Sequence, residues 1–245
     1  MKIAITGAAG VIGRSLVPFL SQSHDVSPSD LKPGPSVKQA DVLNPEAIVA
    51  LCDSMDAVIH LAAAHWQDNL SDHENATRIL DTRLKGTYNI LHAAMQAEVK
   101  RVIQVSDVCV YNGYDEDLIV SEDFLPLPDT SAYQQSVYLS ELVGREFARL
   151  SSGLVMTLRL GKVVDISTLT EDIPLDESWI DIQDALAGIA QALEIEHYDG
   201  MGHWGLYNLV GDIPNGRYSL HKTKTGHYGF HPVQTFEAWG KEGVA

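Results

Sequence analysis

The segment MKIAITGAAGVIG, residues 1–13, decides the fold that this sequence predicts. Its apolar start predicts a strand, and Gly7, Gly10 and Gly13 follow before a helix-like stretch begins at Arg14. In such a turn the glycines permit a tight bend, close approach to a pyrophosphate and close helix packing, and the helix N-terminus attracts phosphate. We therefore expect a dinucleotide to contact Gly7, Ala9, Gly10, Val11, Ile12 and Gly13. A glycine turn that only connects strand to helix is the alternative.

An acidic residue at the end of the predicted second strand indicates which dinucleotide is bound. Asp30 follows Gly13 by seventeen positions. In dinucleotide-binding folds, a carboxylate roughly twenty positions after the glycines accepts hydrogen bonds from the adenosine ribose hydroxyls. Because a carboxylate would repel the 2′-phosphate of NADP, Asp30 favours NAD as the cofactor. The alternative is that Asp30 is a solvated residue before the turn at residues 32–35.

Strand-like and helix-like segments alternate along the rest of the chain. Strands are predicted at residues 24–30, 37–42, 56–63, 99–106, 154–160 and 205–210. Helices are predicted at residues 14–21, from Asn44 onward, at 72–97, at 133–150 and up to Leu193. This alternation predicts an α/β fold with a doubly wound parallel sheet. Pro28 should make the second strand short or irregular, since proline donates no hydrogen bond to a sheet.

Composition narrows the class of protein and its partners. The chain has 245 residues and a formal net charge of −16, which disfavours nucleic acid and anionic membranes as partners. No apolar run approaches the ~20 residues of a membrane span. Two cysteines imply no disulfide framework and favour a reducing cytoplasm. Five histidines in the last third lie in loop-like sequence without an acidic partner in register, so we expect no metal site.

Several motifs together resemble the extended short-chain dehydrogenase/reductase superfamily, in particular its NAD-dependent epimerase/dehydratase family. They are the glycine turn preceded by Thr6, the run HLAA at 60–63, DTRLKGTYNIL at 81–91 and YGFHP at 228–232. The resemblance implies a Rossmann-type core at residues 1–165, a small substrate-binding portion at residues 166–245, and a homodimer through helices 72–97 and 133–150. It also implies further cofactor contacts from Asp41, Val42, Leu61, Ala62, Ala63, Ser106 and Tyr133.

The family's catalytic motif is altered in this sequence. Members carry Tyr-x-x-x-Lys on one helix and a serine or threonine at the end of the preceding strand. Here the segment SAYQQSVYLSELV keeps Tyr133 but has Val137 at the lysine position. Counting back four residues from Tyr111 gives Asp107 where the family has serine or threonine, and Ser106 would need a local shift to substitute.

These changes make Tyr133 a poor general base. An ordinary tyrosine has a pKa near ~10, and Val137 supplies no cation to lower it. Arg83 stands where the family has asparagine and could pair with Asp107 or replace the lysine, with Lys85 and Lys162 as weaker candidates. Asp107 could itself be the base. The predicted catalytic residues are therefore Tyr133, Asp107, Ser106 and Arg83.

Three functions stay open from the sequence. The first is an NAD-dependent oxidoreductase or epimerase/dehydratase-like enzyme that acts on a sugar, a sugar acid or another small hydroxyl or carbonyl compound. The second is a non-catalytic NAD-binding sensor or partner protein, which the loss of the lysine favours. The third is a lyase or isomerase that retains the fold with different chemistry, because fold alone does not fix function.

Overall fold

The computed structural model describes residues 1–170, 172–197 and 202–239 of the chain. The strands are β1 (Lys2–Thr6), β2 (Asp25–Asp30), β3 (Lys38–Gln39), β4 (Ala57–His60), β5 (Arg101–Asp107), β6 (Leu154–Leu160), β7 (Lys162–Val164), β8 (Trp179–Asp181) and β9 (Trp204–Leu209). The α-helices are α1 (Val11–Leu20), α2 (Pro45–Cys52), α3 (Asp72–Leu80), α4 (Gly86–Gln96), α5 (Ala132–Leu150), α6 (Ile182–Ala192) and α7 (His221–Thr225). A π-helical turn covers Asp81–Lys85, and 3₁₀ turns cover Val108–Tyr111 and Ile166–Thr168.

Seven strands form one parallel sheet in the order β3-β2-β1-β4-β5-β6-β9. The doubly wound parallel sheet predicted from the sequence is confirmed. Strand order reverses between β1 and β4, and ligands of open α/β sheets bind in the crevice at such a point. The carboxyl ends of β1 and β4 lie side by side there, with Thr6 paired to His60. This edge is where a bound ligand is expected.

Helices cover both faces of the sheet because its central strands are buried on both sides. Residues 3–5 of β1 and all four residues of β4 are buried. One face packs against α1 and α6, with Leu16, Leu20 and Ile189 in that core. The other face packs under α2, α4 and α5. Strands that are buried on both sides have nearly continuous apolar sequence, which explains why their positions could be predicted.

The structure corrects three predicted elements. Strand β2 is regular over its six residues despite Pro28, because β3 pairs only with Ser29 and Asp30 and needs no donor from Pro28. Strand β3 has two residues rather than the six predicted, and residues 40–44 form a loop that leads into α2. The predicted helix at 72–97 is divided into α3 and α4 by the π-helical turn.

The last third of the chain contributes to the core sheet and also covers its carboxyl edge. Strand β9 pairs with β6 as the seventh strand, so residues beyond 165 belong partly to the core. Strands β7 and β8 form a separate parallel pair. Among the described residues, no helix has both the length and the apolar character that a membrane crossing requires.

Candidate active site at the carboxyl edge of the sheet

The glycine turn leaves β1 in a conformation that only glycine accommodates. Gly7 has φ +72°, and a Cβ there would lie 2.7 Å from the backbone of Leu61 and Ala62. A Cβ at Gly13 would lie 2.5 Å from the carbonyl oxygen of Gly7. Gly10 donates its N–H to that same carbonyl and forms the N-cap of α1. The turn is therefore tightly packed, with bare backbone at its outer side.

The first turn of α1 has the properties of an anion-binding helix end. The first N–H groups of a helix have no intrahelical acceptor, and here no side chain caps them and no acidic residue occupies the first turn. Val11, the first residue of α1, is 79% exposed. Val11, Ile12 and Gly13 thus offer backbone donors of the kind that a pyrophosphate accepts.

Asp30 lies directly beside the glycine turn. Its Oδ2 accepts a hydrogen bond from the Ala9 N–H at 3.0 Å, and its Oδ1 accepts one from the Lys32 N–H at 3.0 Å. The carboxylate is therefore held in place at the carboxyl end of β2, next to the strand that carries the glycines. In dinucleotide-binding folds, a carboxylate at this position accepts hydrogen bonds from the ribose hydroxyls.

The other predicted cofactor residues surround the same crevice. Leu61, Ala62 and Ala63 follow β4 and are partly exposed, and the Leu61 N–H donates to the Thr6 carbonyl at 3.1 Å. Asp41 accepts a hydrogen bond from the Leu43 N–H at the loop before α2. Val42 is 6% exposed, with its side chain packed in the core.

A buried histidine under this crevice was not singled out from the sequence. His60 ends β4, with its Nδ1 2.7 Å from the Thr6 hydroxyl and its Nε2 3.1 Å from the Thr87 hydroxyl. Burial, assisted by the nearby charge of Arg83, lowers the pKa of His60 to about 3. His60 is therefore neutral and ties β1, β4 and α4 together.

The predicted catalytic residues Tyr133 and Asp107 meet at the end of β5. The Tyr133 hydroxyl donates to Oδ2 of Asp107 at 2.6 Å. The other carboxylate oxygen, Oδ1, accepts the Cys109 N–H at 2.7 Å, as the N-cap of the 3₁₀ turn. Tyr133 lies in the first turn of α5, whose N-cap is Ser131. The carboxylate is thus fixed by one backbone bond and bonded directly to the phenol.

Arg83 supplies a cation to this pair through the π-helical turn. Its guanidinium carbon lies 5.5 Å from the centroid of the Tyr133 ring, and its Nη1 donates weakly to the Val105 carbonyl at 3.5 Å. Within the described parts of the chain, no ion pair joins Arg83 to Asp107, and of the two roles considered for Arg83 its position over the Tyr133 ring agrees with that of a cation in place of the lysine. The π-helical turn adds a residue to the helix, and such turns often occur at functional sites.

The charge state of the pair follows from burial. Burial, and secondly the neighbouring charge of Asp107, raise the pKa of Tyr133 well above its ordinary value, while Arg83 acts in the opposite direction. Burial and Asp107 likewise raise the pKa of Cys109. The phenol and the thiol are therefore both neutral at physiological pH. Val137, at the position of the family's lysine, is completely buried.

Ser106 does not face Tyr133, which corrects its predicted role beside that residue. It is 3% exposed, and its hydroxyl donates to Oε1 of Glu141 at 2.5 Å. Glu141 is bound in turn by two nitrogens of Arg159, at 2.9 and 2.7 Å, and Arg159 also donates to the Tyr111 hydroxyl. Ser106 thus belongs to a buried ionic network under the site. An arginine within the apolar strand VMTLRLG was the sequence signal for this network, because buried charges require partners.

Lys85 and Lys162, the weaker candidates for a replacement cation, are paired elsewhere. Lys85 forms an ion pair with Asp81 at 2.8 Å, one helical turn away on the surface. Lys162 lies 3.5 Å from Asp176. Arg83 is therefore the cation that approaches the Tyr133 ring in the described residues.

A doubly wound sheet with a glycine turn at its switch point and a tyrosine–carboxylate pair beside it defines a dinucleotide-dependent class of protein. Comparison with known families gives the narrower assignment. Residues 3–164 match the NAD dependent epimerase/dehydratase family, and the chain belongs to that family.

Individual relatives agree with this assignment. The L-arabinose 1-dehydrogenase (NAD(P)(+)) of Haloferax volcanii is 28% identical over 215 residues, which cover 79% of this chain and 82% of the relative. A short-chain dehydrogenase/reductase superfamily protein from Agrobacterium tumefaciens, solved with bound NAD, has TM-score 0.80 and 21% identity over 98% of this chain and 94% of its own. The glucuronic acid dehydrogenase of Chromohalobacter salexigens has TM-score 0.80 and 18% identity over 100% of this chain and 90% of its own. At these identities the two structures support the fold.

Proposed function

We propose that this chain is an NAD-dependent oxidoreductase that interconverts a hydroxyl and a carbonyl group on a sugar-like small molecule. The observation that carries the proposal is the 2.6 Å hydrogen bond from Tyr133 to Asp107 at the same sheet edge as the glycine turn. Family membership supports it, as does the relative that is a sugar dehydrogenase. An epimerase or a dehydratase would begin with the same oxidation and differ in the steps that follow it.

The residues present fit NAD. Added Cβ atoms at Gly7 and Gly13 would fill the packed turn, and the free N–H groups at the start of α1 suit a pyrophosphate. Asp30 would hold the adenosine ribose. Asp41 would border the adenine, and Leu61 would lie along the middle of the cofactor. When bound, NAD supplies the hydride acceptor for alcohol oxidation.

The acid–base work falls to Tyr133 and Asp107 together. In oxidation, the substrate O–H gives its proton to Oη of Tyr133 as Tyr133 passes its own proton to Oδ2 of Asp107. The phenolate never accumulates, which agrees with the raised pKa of Tyr133. Reduction returns the proton along the same two bonds. Arg83, over the ring face, stabilises negative charge that develops on the phenol oxygen.

A non-catalytic NAD-binding protein is the second candidate function. The buried valine at position 137 favours it, because nothing at that position lowers the pKa of the phenol. Both candidates require NAD binding, and they differ in turnover. Conversion of NAD to NADH with any hydroxylated substrate therefore separates them.

We expect NAD to bind the purified chain in a calorimetric titration and NADP to bind at least about 10-fold more weakly, because Asp30 would repel the 2′-phosphate. Asp30→Asn should weaken NAD binding about 10-fold and reduce the difference between the affinities for NAD and NADP. Asp53→Asn removes a charge from the far end of α2 and is the matched control. Equal affinities of the unaltered protein for NAD and NADP would contradict the role of Asp30.

We also propose that the chain forms a homodimer through the surface of α4 and α5. Tyr88 is 49% exposed, although its ring packs against His92 and Phe147. Beside it lies a hollow of about 500 Å³ that includes Leu84 and Val143. An exposed aromatic next to an apolar hollow is suited to burial against a second protein surface.

Light scattering after gel filtration is expected to give about twice the chain mass of 26.8 kDa. Tyr88→Glu should shift the protein towards the monomer, because it places a charge at the centre of the buried surface. Val233→Glu is the control, since Val233 is an apolar residue that is 77% exposed and lies outside α4 and α5. A monomer for the unaltered protein would refute the dimer.

Two further proposals follow from the sequence and agree with these features. We assign substrate binding to the portion after residue 165, because its Tyr218 and Leu220 pack in the cluster that includes Tyr111 and Tyr133, beyond the end of β5. We place the protein in the cytoplasm, because Cys52 and Cys109 are both free thiols.

A further inference from the structure

A second tyrosine, Tyr218, packs beside the proposed catalytic pair. The 3₁₀ turn Val108–Tyr111 begins directly after Asp107, and Tyr111 at its end is completely buried. The ring of Tyr218 packs against the ring of Tyr111, with 6.2 Å between the two centroids. Tyr218 and Tyr133 both pack, partly buried, against the apolar cluster that contains Tyr111. Tyr218 therefore lies next to the turn that follows β5, although it belongs to the chain beyond β9.

Two backbone hydrogen bonds hold the segment of Tyr218 in place. The Val120 N–H donates to the Arg217 carbonyl at 2.8 Å, and the Ser219 N–H donates to the Val120 carbonyl at 2.8 Å. They form a parallel bridge between Val120 and Tyr218, and Val120 is completely buried. Because the backbone is fixed on both sides and the ring packs against Tyr111, the direction of the Tyr218 side chain is set before any substrate binds.

The hydroxyl of Tyr218 has no hydrogen-bond partner within the part of the chain that the structure describes. Two neighbouring tyrosines use theirs: the Tyr111 hydroxyl donates to the Ser121 carbonyl at 3.0 Å, and the Tyr114 hydroxyl donates to the Leu125 carbonyl at 2.7 Å. The Tyr218 oxygen is also open to its surroundings rather than enclosed by protein. Packing against Tyr111 requires only the ring, so the oxygen is available to a bound molecule.

The phenol of Tyr218 is neutral at physiological pH. Burial raises the pKa of Tyr218, and the charge of Asp107, the acceptor of the Tyr133 hydroxyl, acts in the same direction, while Arg217 opposes both. A neutral phenol can donate one hydrogen bond and also accept one. The hydroxyl groups of a sugar have the same two capacities, so the Tyr218 hydroxyl matches them chemically.

From this arrangement we propose that Tyr218 binds the substrate, through a hydrogen bond between its hydroxyl and a sugar hydroxyl other than the one that is oxidised. The inference rests on the proposed oxidoreductase function. A sugar ring carries several similar hydroxyl groups, and only the one that is placed against Tyr133 and the cofactor can react. Two fixed phenols hold the ring at two points, so Tyr218 contributes to the choice of the hydroxyl that is oxidised.

Tyr218→Phe tests the proposal, because it keeps the ring against Tyr111 and removes only the hydroxyl. NADH formation from NAD is measured with L-arabinose, galactose, glucose, galacturonate and glucuronate, and then with analogues of the best substrate that each lack one hydroxyl. With the best substrate, we expect Tyr218→Phe to raise KM at least about 10-fold and to keep kcat within about threefold, because the bond is made before and during the reaction. With the analogue that lacks the bound hydroxyl, the two proteins should differ less than about twofold in kcat/KM.

Tyr114→Phe is the matched control and should leave KM unchanged, because it removes a phenol oxygen of the same cluster that already donates to Leu125. An unchanged KM in Tyr218→Phe would overturn the inference and leave the proposed function standing, and so would an equal loss with every analogue. A fall in kcat alone would place Tyr218 in the proton path and overturn its binding role. Absence of NADH from the unaltered protein with every sugar would overturn the proposed function, and the inference with it.

Discussion

Asp107→Asn is expected to lower kcat by about 10²- to 10⁴-fold, the range that general acid–base catalysis supplies. Asparagine has nearly the shape of aspartate, and its amide oxygen can keep the hydrogen bond from the Cys109 N–H. Its NH2 group then faces Tyr133, where it can donate a hydrogen bond but cannot take up a proton. The proton of Tyr133 then has no acceptor. NAD affinity should stay within about threefold, because Asp107 lies apart from the glycine turn. Initial rates of NADH formation and an NAD titration measure the two effects.

Tyr133→Phe should produce a comparable loss, because it removes the first member of the same proton path. The double variant should be hardly slower than either single variant, since groups that act as one unit give non-additive effects. Asp25→Asn, at the exposed amino end of β2 on the opposite edge of the sheet, is the matched control and should retain the activity of the unaltered protein. Asp107→Asn with undiminished kcat would remove Asp107 from the mechanism.

Glu141→Ala is expected to lower the free energy of unfolding by about 3–5 kcal/mol, because it leaves the guanidinium of Arg159 buried without its counter-charge. Glu141 and Arg159 are only 3% and 2% exposed, and the variant also removes the partner of Ser106. Urea denaturation followed by circular dichroism measures the change. Replacing Glu141 with Leu and Arg159 with Met together should restore much of the loss.

The surface supplies the control for that experiment. Glu146 lies on the same helix and contacts Arg145 and Arg149 at the surface, where the three side chains are 48–66% exposed. Glu146→Ala should not change the urea midpoint measurably, because exposed ion pairs contribute little. A Glu141→Ala variant as stable as Glu146→Ala would mean that the buried pair adds nothing to stability.

The sequence predicted the fold and the cofactor crevice because their signals are local. The spacing of Gly7, Gly10 and Gly13 reflects steric demands of one turn, and buried parallel strands have continuous apolar runs. The contact between Tyr133 and Asp107 could also be expected from the sequence. Asp107 follows a predicted strand and Tyr133 begins a predicted helix, and both of these ends lie at the carboxyl edge of the sheet. For most strands of the sheet, the observed ends differ from the predicted ends by only a few residues.

Side-chain directions depend on tertiary packing and could not be predicted. Ser106 and Asp107 are neighbours at the end of β5, yet Ser106 bonds to Glu141 and Asp107 to Tyr133. Nothing in the local sequence marks the π-helical turn that carries Arg83 to the face of the Tyr133 ring. Whether a cation pairs with a carboxylate or lies over a ring is decided by helix packing.

The most direct test of the proposed mechanism is the initial rate of NADH formation, at saturating NAD and with the sugar-like substrate that reacts fastest, by the unaltered protein, Tyr133→Phe and Asp107→Asn in parallel. The proposed function predicts measurable turnover in the unaltered protein and a loss of at least about 100-fold in both variants, with NAD still bound. Turnover that survives in both variants would contradict the tyrosine–aspartate pair as the acid–base group. NAD binding without NADH from the unaltered protein would assign the chain to non-catalytic binding instead.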